Sequence, residues 1–259
     1  MALHGRPREA GHDHPCGVDL DLFTPEGPRA GTAGNGDRLR LLSIGRIVER
    51  KGVDTVIRAL AWLPRAELTV VGGPAPDDPA LSGERGPDGE GDPDVLRLRA
   101  VAAECGVTGR VRFTGRAPRA EIPALMRSAD AVVSVPWYEP FGIVPVEAMA
   151  CGVPVVASQV GGHRDTVIHG YTGLLLPPRE PRTLALALHE LSRDPVQRES
   201  YGIFAAERAA SCYSWAFVAE RTERVYGAVL AGSPVSEAAP ERSAHQRPSE
   251  PASSAGRTR

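Results

Sequence analysis

Two short stretches carry the residue types that could do chemistry. In the first, Glu139 and Glu147 stand with seven residues between them in Glu139-Pro-Phe-Gly-Ile-Val-Pro-Val-Glu147. Carboxylates set into mostly apolar surroundings need hydroxyl or cationic partners. Pro140 and Gly142 force a turn before Ile143, and the backbone N–H groups of about 142–144 then stand free at a helix start, which suits an anion. In the second, Gly45-Arg46 is followed by Lys51-Gly52. A glycine allows close backbone approach, and a forked guanidinium beside a point-charge ammonium suits a diphosphate. Each residue taken alone has a plainer reading: Arg46, Arg50 and Lys51 as solvated loop charges, Glu147 as a surface helix glutamate, Trp137 and Tyr138 as packing. No G-x-x-x-x-G-K-[ST] and no G-x-G-x-x-G follows a strand, which argues against a nucleoside triphosphatase and an ordinary dinucleotide dehydrogenase.

Other candidates are weaker. Asp19-Leu20-Asp21 spells D-x-D but lies before the first strand, and Asp77, Asp78, Asp92 and Asp94 sit in or beside an acidic loop, so no metal site is expected. His163 and His169 flank a glycine-rich turn; His163 has two readings, an approach to a bound ligand or, more simply, a loop histidine without a chemical task, and His169 has only the second; Asp165 reads as turn-forming. Cys16, Cys105, Cys151 and Cys212 are scattered, without metal-ligand spacing, and read as free thiols of a reducing compartment. The net charge of -2 over 259 residues gives no overall positive field for nucleic acid. The polar first residues lack a signal-peptide core, and no apolar run approaches the ~20 residues of a membrane span. A cytoplasmic protein is expected.

Strands alternating with helices must position these groups. Apolar runs near 40–45, 67–72, 111–115, 131–135, 154–157 and 173–176 read as strands. Helices are expected from near Lys51 through Leu63, over 94–105, 118–128, 143–151, 181–193, 195–210 and 214–230. Apolar strands alternating with helices imply an α/β fold, a Rossmann-like parallel sheet flanked by helices. Ligands of such sheets lie beyond the carboxyl ends of the strands, where Gly45, Gly72, Gly115, Pro136 and Ser158 fall. Residues 1–14 and 232–259 read as disordered, 15–37 as a linker-like segment and 38–231 as the folded domain, with an acidic loop from Pro74 to Asp92.

With these pieces in order, the chain resembles the retaining glycosyltransferases of the GT-B fold, family 4 or group 1. Glu139 and Glu147 match that family's E-x7-E spacing. Gly45-Arg46 with Lys51-Gly52 resembles its phosphate loop; Phe113-Thr-Gly-Arg116, Gly152-Val-Pro-Val-Val-Ala157, Gly161-Gly162 and Gly170-x-x-Gly173 agree in order. The stretch 15–25 is similar to the family's interdomain linker, and 214–230 to its closing helix. The resemblance implies a donor-binding domain for a nucleoside-diphosphate sugar, transferring the sugar with retention and without a metal. It implies that Arg46 and Lys51 hold the diphosphate and that Glu139 binds sugar hydroxyls beside the backbone of Gly45, Phe141, Gly142 and Ile143. Val144 would touch phosphate, Glu147 the ribose, and Arg116 would line the base pocket. It also implies that an acceptor domain is missing or separate, which would leave the Trp215, Phe217, Val218, Val225 and Tyr226 face of the closing helix uncovered. Two other outcomes stay open: a nucleotide-sugar binding module without catalysis, and an epimerase or phosphorylase on the same fold.

Overall fold

Neighbouring residues of the central strands are buried on opposite sides, which is why these strands are apolar throughout. Leu41, Val133 and Val156 belong to one core cluster, with Val56, Ile57, Leu98 and Leu188. Leu42, Val132 and Val155 belong to the other, with Met126, Val146, Met149 and Ala205. Side chains alternate across a strand, so a strand without polar positions must be covered on both faces. The computed structural model describes residues 16–31, 38–73 and 91–232.

Six parallel strands form one sheet: β1 (Leu39–Ile44), β2 (Ala66–Val71), β3 (Val111–Phe113), β4 (Ala131–Ser134), β5 (Val155–Ser158) and β6 (Gly173–Leu176), in the order β3-β2-β1-β4-β5-β6. Pairing sets Leu41 beside Leu68 on one side and Ala131 on the other. The order reverses between β1 and β4, and the crevice at such a reversal is where doubly wound sheets bind ligands. Helices α1 (Val53–Ala59), α2 (Pro93–Glu104) and α6 (Pro181–Arg193) cover one face; α3 (Ile122–Arg127), α4 (Ile143–Ala150) and α7 (Pro195–Tyr213) cover the other. The short α5 (His163–Thr166) follows β5, and α8 (Trp215–Leu230) follows α7. The α/β expectation holds.

Several boundaries differ from the sequence reading. The helix expected from Lys51 is preceded by a 3-10 turn, Glu49–Lys51, which Gly52 closes at φ 69°, so α1 begins at Val53. Leu60–Trp62 is again a 3-10 turn. The helix expected from Pro118 begins at Ile122, after a 3-10 turn over Arg119–Glu121. The described part of the linker-like segment is tied into the body: Val18 and Phe23 are buried, Val18 N donates to Tyr213 O at 2.7 Å, and the Arg127 guanidinium donates to Pro28 O and Thr24 O. The Asp19 carboxylate accepts from the backbone N–H groups of Asp21 and Leu22, a turn-closing task. One compact unit runs to Thr222 and a second begins at Glu223, within α8. None of the residues of α8 is buried; Trp215 and Tyr226 are exposed, while Phe217, Val218 and Val225 are half-buried. Residues 1–15, 32–37 and 233–259, and residues 74–90 of the loop expected from Pro74 to Asp92, lie outside the described residues.

Candidate functional site

Two loops meet at the reversal point, one after β1 and one after β4. A Cβ on Gly52 would lie 2.2 Å from Val135 O, so only glycine lets the first loop abut the second. Trp137 N donates to Arg50 O at 2.9 Å, and the Arg50 guanidinium to Tyr138 O at 3.3 Å. This stitching brings Lys51 Nζ to 2.5 Å from Glu139 Oε2, across 88 residues of sequence. Their side chains are 23% and 13% exposed, so the pair is shielded yet open to a ligand from one side.

The Glu139 loop is held from below by Gly161 and Gly162. Gly162 N donates to Glu139 O at 3.0 Å. Cβ atoms on Gly161 and Gly162 would lie 2.0 Å from Glu139 O and 2.2 Å from Phe141 O. Gly142, at φ 91°, turns the chain into α4. The first N–H groups of α4 have no acceptor within the helix and carry the positive end of its dipole, so the helix start at Ile143 and Val144, in the same loop as Glu139, suits an anion. Gly45, at φ 142°, ends β1 so tightly that a Cβ on Gly72 would lie 1.8 Å from Gly45 O.

Glu147 lies one turn further into α4, its side chain 8% exposed, with Oε1 3.1 Å from an Arg119 nitrogen. Burial pushes its carboxyl above the ordinary value, and the attraction of Arg119 opposes that rise. Arg119 is 63% exposed at its side chain and also stands over the Phe23 ring at 5.1 Å. The cation that meets Glu147 is therefore Arg119. Arg116, expected to line the base pocket, is exposed and forms no ion pair with a described residue. Arg46 is likewise exposed and unpaired among the described residues.

Folding raises the Glu147 pKa, so the stability tied to its protonated form is present below the ordinary carboxylate value and is lost as pH rises through the folded value. Glu147→Gln is expected to melt higher than the native chain at pH 7, because the desolvated charge is gone. If Glu147 takes a ribose, as the resemblance implies, the same variant should bind nucleoside diphosphates about tenfold or more weakly, since hydrogen bonds to charged groups contribute about 1.5–3 kcal/mol. Melting curves and calorimetry read the two effects separately. A variant of unchanged stability and unchanged affinity would remove Glu147 from the site.

The sequence reading left one contributor unassigned and missed another. His163 is fully buried, not a loop histidine, with Nδ1 3.0 Å from Ser158 O. Arg179, at φ 60°, stacks on Trp137 with its guanidinium carbon 3.5 Å from the ring centroid. The Gly161-Gly162-His163 run after a strand was the available signal for the first; a contact across 42 residues of sequence left none for the second. Asp165 lends its backbone, its carbonyl accepting from Arg208 and from the Tyr213 hydroxyl. Among the described residues no cluster of His, Cys, Asp or Glu is arranged to hold a metal ion. No described helix is long and apolar enough to cross a membrane.

The family model "Glycosyl transferases group 1" matches residues 29–208. A D-inositol 3-phosphate glycosyltransferase of Frankia alni is 38% identical over 232 residues, covering 85% of this chain and 53% of the relative. Among solved structures, the sucrose-phosphate synthase of Thermosynechococcus elongatus superposes with TM-score 0.71 at 33% identity, over 85% of this chain and 53% of that one. Anabaena HepE, solved in complex with UDP and glucose, gives TM-score 0.67 at 26% identity, over 82% of this chain and 55% of that one. The chain spans about half the length of the relatives it matches.

Proposed function

Because this chain belongs to the group 1 glycosyl transferases, we propose that its carboxyl-end crevice binds a nucleoside-diphosphate sugar and serves its transfer to an acceptor with retention of configuration. The observation that carries the reading is the Lys51–Glu139 pair, with the carboxylate on the loop that leads into α4: a cation and free N–H groups for a diphosphate, and a carboxylate for hydroxyls. Arg46 and Lys51 would hold the diphosphate with the N–H groups of Ile143 and Val144. Glu139 would take sugar hydroxyls alongside the backbone of Gly45, Phe141 and Gly142, and Glu147 the ribose. The complex of HepE with UDP and glucose supports this kind of ligand. Departure of the diphosphate would leave an oxocarbenium-like centre, which the acceptor attacks from the face the leaving group vacates. The acceptor side would come from the half of the relatives that this chain does not span, whether in the same polypeptide or another. Family 4 membership in the narrower sense and a cytoplasmic site of action belong to the same proposal.

Lys51, Arg46 and the helix N-terminus supply positive charge where other transferases use a divalent ion. Donor affinity is therefore expected to be unchanged in excess EDTA; a tenfold loss reversed by magnesium or manganese would overturn metal independence.

The match covers about half the length of the Frankia relative and of the sucrose-phosphate synthase, and a second reading follows from it: this chain alone binds donor without turning it over. Calorimetry of the full chain against UDP-, GDP- and ADP-sugars, with separate assays for hydrolysis and transfer, decides between the two. Binding with turnover supports the transferase, and binding alone supports the module. Failure to bind any nucleoside diphosphate would remove both.

A further inference from the structure

Beneath the Glu139 loop lies an imidazole that the donor site leaves without a task. His163 opens α5 and is fully buried. Its Nδ1 faces the carbonyl oxygen of Ser158, which only accepts, so Nδ1 carries the proton of the neutral ring. Nε2 is then an acceptor, and it is buried without a partner among the described residues. The ring edge lies against the turn into α4: a Cβ on Gly142 would come 2.6 Å from Cδ2 and 3.2 Å from Nε2.

Burial is the largest influence on this ring and holds it neutral, below its ordinary pKa of 6.5. Two charges from other elements act on it in opposite senses. The Glu139 carboxylate, from the loop after β4, favours protonation; the Lys51 ammonium, from the turn after β1, opposes it. These two are the ion pair of the site. A bound diphosphate competes for the ammonium, because charge-assisted bonds to phosphate are strong. Glu139, whose backbone carbonyl accepts from the N–H of Gly162 next to His163, then acts on the ring without its counter-ion, and both changes favour a proton there.

We propose that His163 is a positioning residue: as the donor's diphosphate draws Lys51 from Glu139, Nε2 takes one proton from solvent, and the imidazolium holds the Glu139 carboxylate in place for the sugar hydroxyls. The N–H bond on Nε2 is the only covalent change on the protein; the other changes are exchanges of hydrogen bonds and ion pairs. The inference rests on the donor-site reading above, and its test has an arm that does not depend on donor binding.

In that arm, long-range proton–nitrogen spectra of the full chain follow the His163 ring from pH 5 to 8, with His163→Gln assigning the signal. Lys51→Met should raise the titration by about one pH unit or more, and Glu139→Gln should lower it. A ring that titrates alike in the native chain and both variants overturns the proposal. Because the variants move the ring in opposite senses, one that fails to fold leaves the other to decide.

In the second arm, UDP-glucose and inorganic pyrophosphate are titrated calorimetrically in buffers of different ionisation heat. The native chain should take up protons on binding. Affinity should fall by up to about tenfold per pH unit as pH rises above the free ring's pKa, the limit for one linked proton. His163→Gln should bind with no uptake. Binding to the native chain without proton uptake overturns the proposal and leaves the donor site standing. Absence of binding by both probes overturns the donor reading for them, and the ring titration then decides the role of His163 by itself.

Discussion

Lys51→Ala is expected to lower kcat for sugar transfer by about 10²–10³-fold, the loss typical of removing one preorganised group that meets developing negative charge. The measurement needs a protein that also carries an acceptor side. Lys51 lies within hydrogen-bond reach of Glu139, whose loop leads into α4, so in the proposed site a diphosphate on the helix N-terminus would meet its ammonium. Charge on that diphosphate grows as the glycosidic bond breaks, so the loss should appear in kcat more than in KM. Lys51→Ala also leaves Glu139 shielded without a cation, so the native ion pair is lost together with the leaving-group contact. Lys51→Arg should restore part of the rate, because it keeps the charge but places a wider, forked group where a point charge stood. An unchanged kcat in Lys51→Ala would end the assignment of this residue to the leaving group.

Gly162→Ala is expected to destabilise the fold by about 1–3 kcal/mol, the usual cost of overpacking, and to lower donor affinity by tenfold or more. Gly162 has φ -63°, a conformation any residue adopts, so strain at its own backbone plays no part. The added methyl would lie 2.2 Å from Phe141 O and 2.5 Å from Phe141 C, both backbone atoms that cannot rotate away. Relief requires the Glu139–Gly142 loop to lift, which breaks the Gly162 N–H bond to Glu139 O and moves the carboxylate off Lys51. Gly109→Ala is the control: a Cβ there meets nothing within 4 Å, so its effect should stay within about 0.5 kcal/mol. Thermal melts of both variants, with donor calorimetry on each, give the comparison. A Gly162→Ala chain as stable as Gly109→Ala, with native affinity, would show that the loop is not clamped from below.

Much of this architecture was legible because its signals are local. Leu41-Leu42 and Val132-Val133 announce strands covered on both faces, and Pro181 and Pro195 stand at helix starts as expected. The boundaries that moved were those where 3-10 turns replace helix ends: Glu49–Lys51, Leu60–Trp62 and Arg119–Glu121. There the residues suit either turn; at Glu49–Lys51 the packing of Gly52 on Val135 O, which sequence does not display, goes with the 3-10 form.

The sequence by itself determined the alternation of strand and helix, the glycines at strand ends, and the spacing of Glu139 and Glu147, because each depends on residues a few positions apart. It also placed the helix start proposed to bind an anion, which Gly142 and the turn before Ile143 specify locally. Only the tertiary structure decided which cation meets which carboxylate. Lys51 reaches Glu139 because β4 lies beside β1, and Glu147 meets Arg119 rather than Arg116 because the 3-10 turn before α3 presents that side chain to α4. His163 became the buried floor of the site for the same kind of reason. Its surroundings come from the loops after β1, β4 and β5, and pairings between such distant segments are set by strand order, which no local pattern encodes.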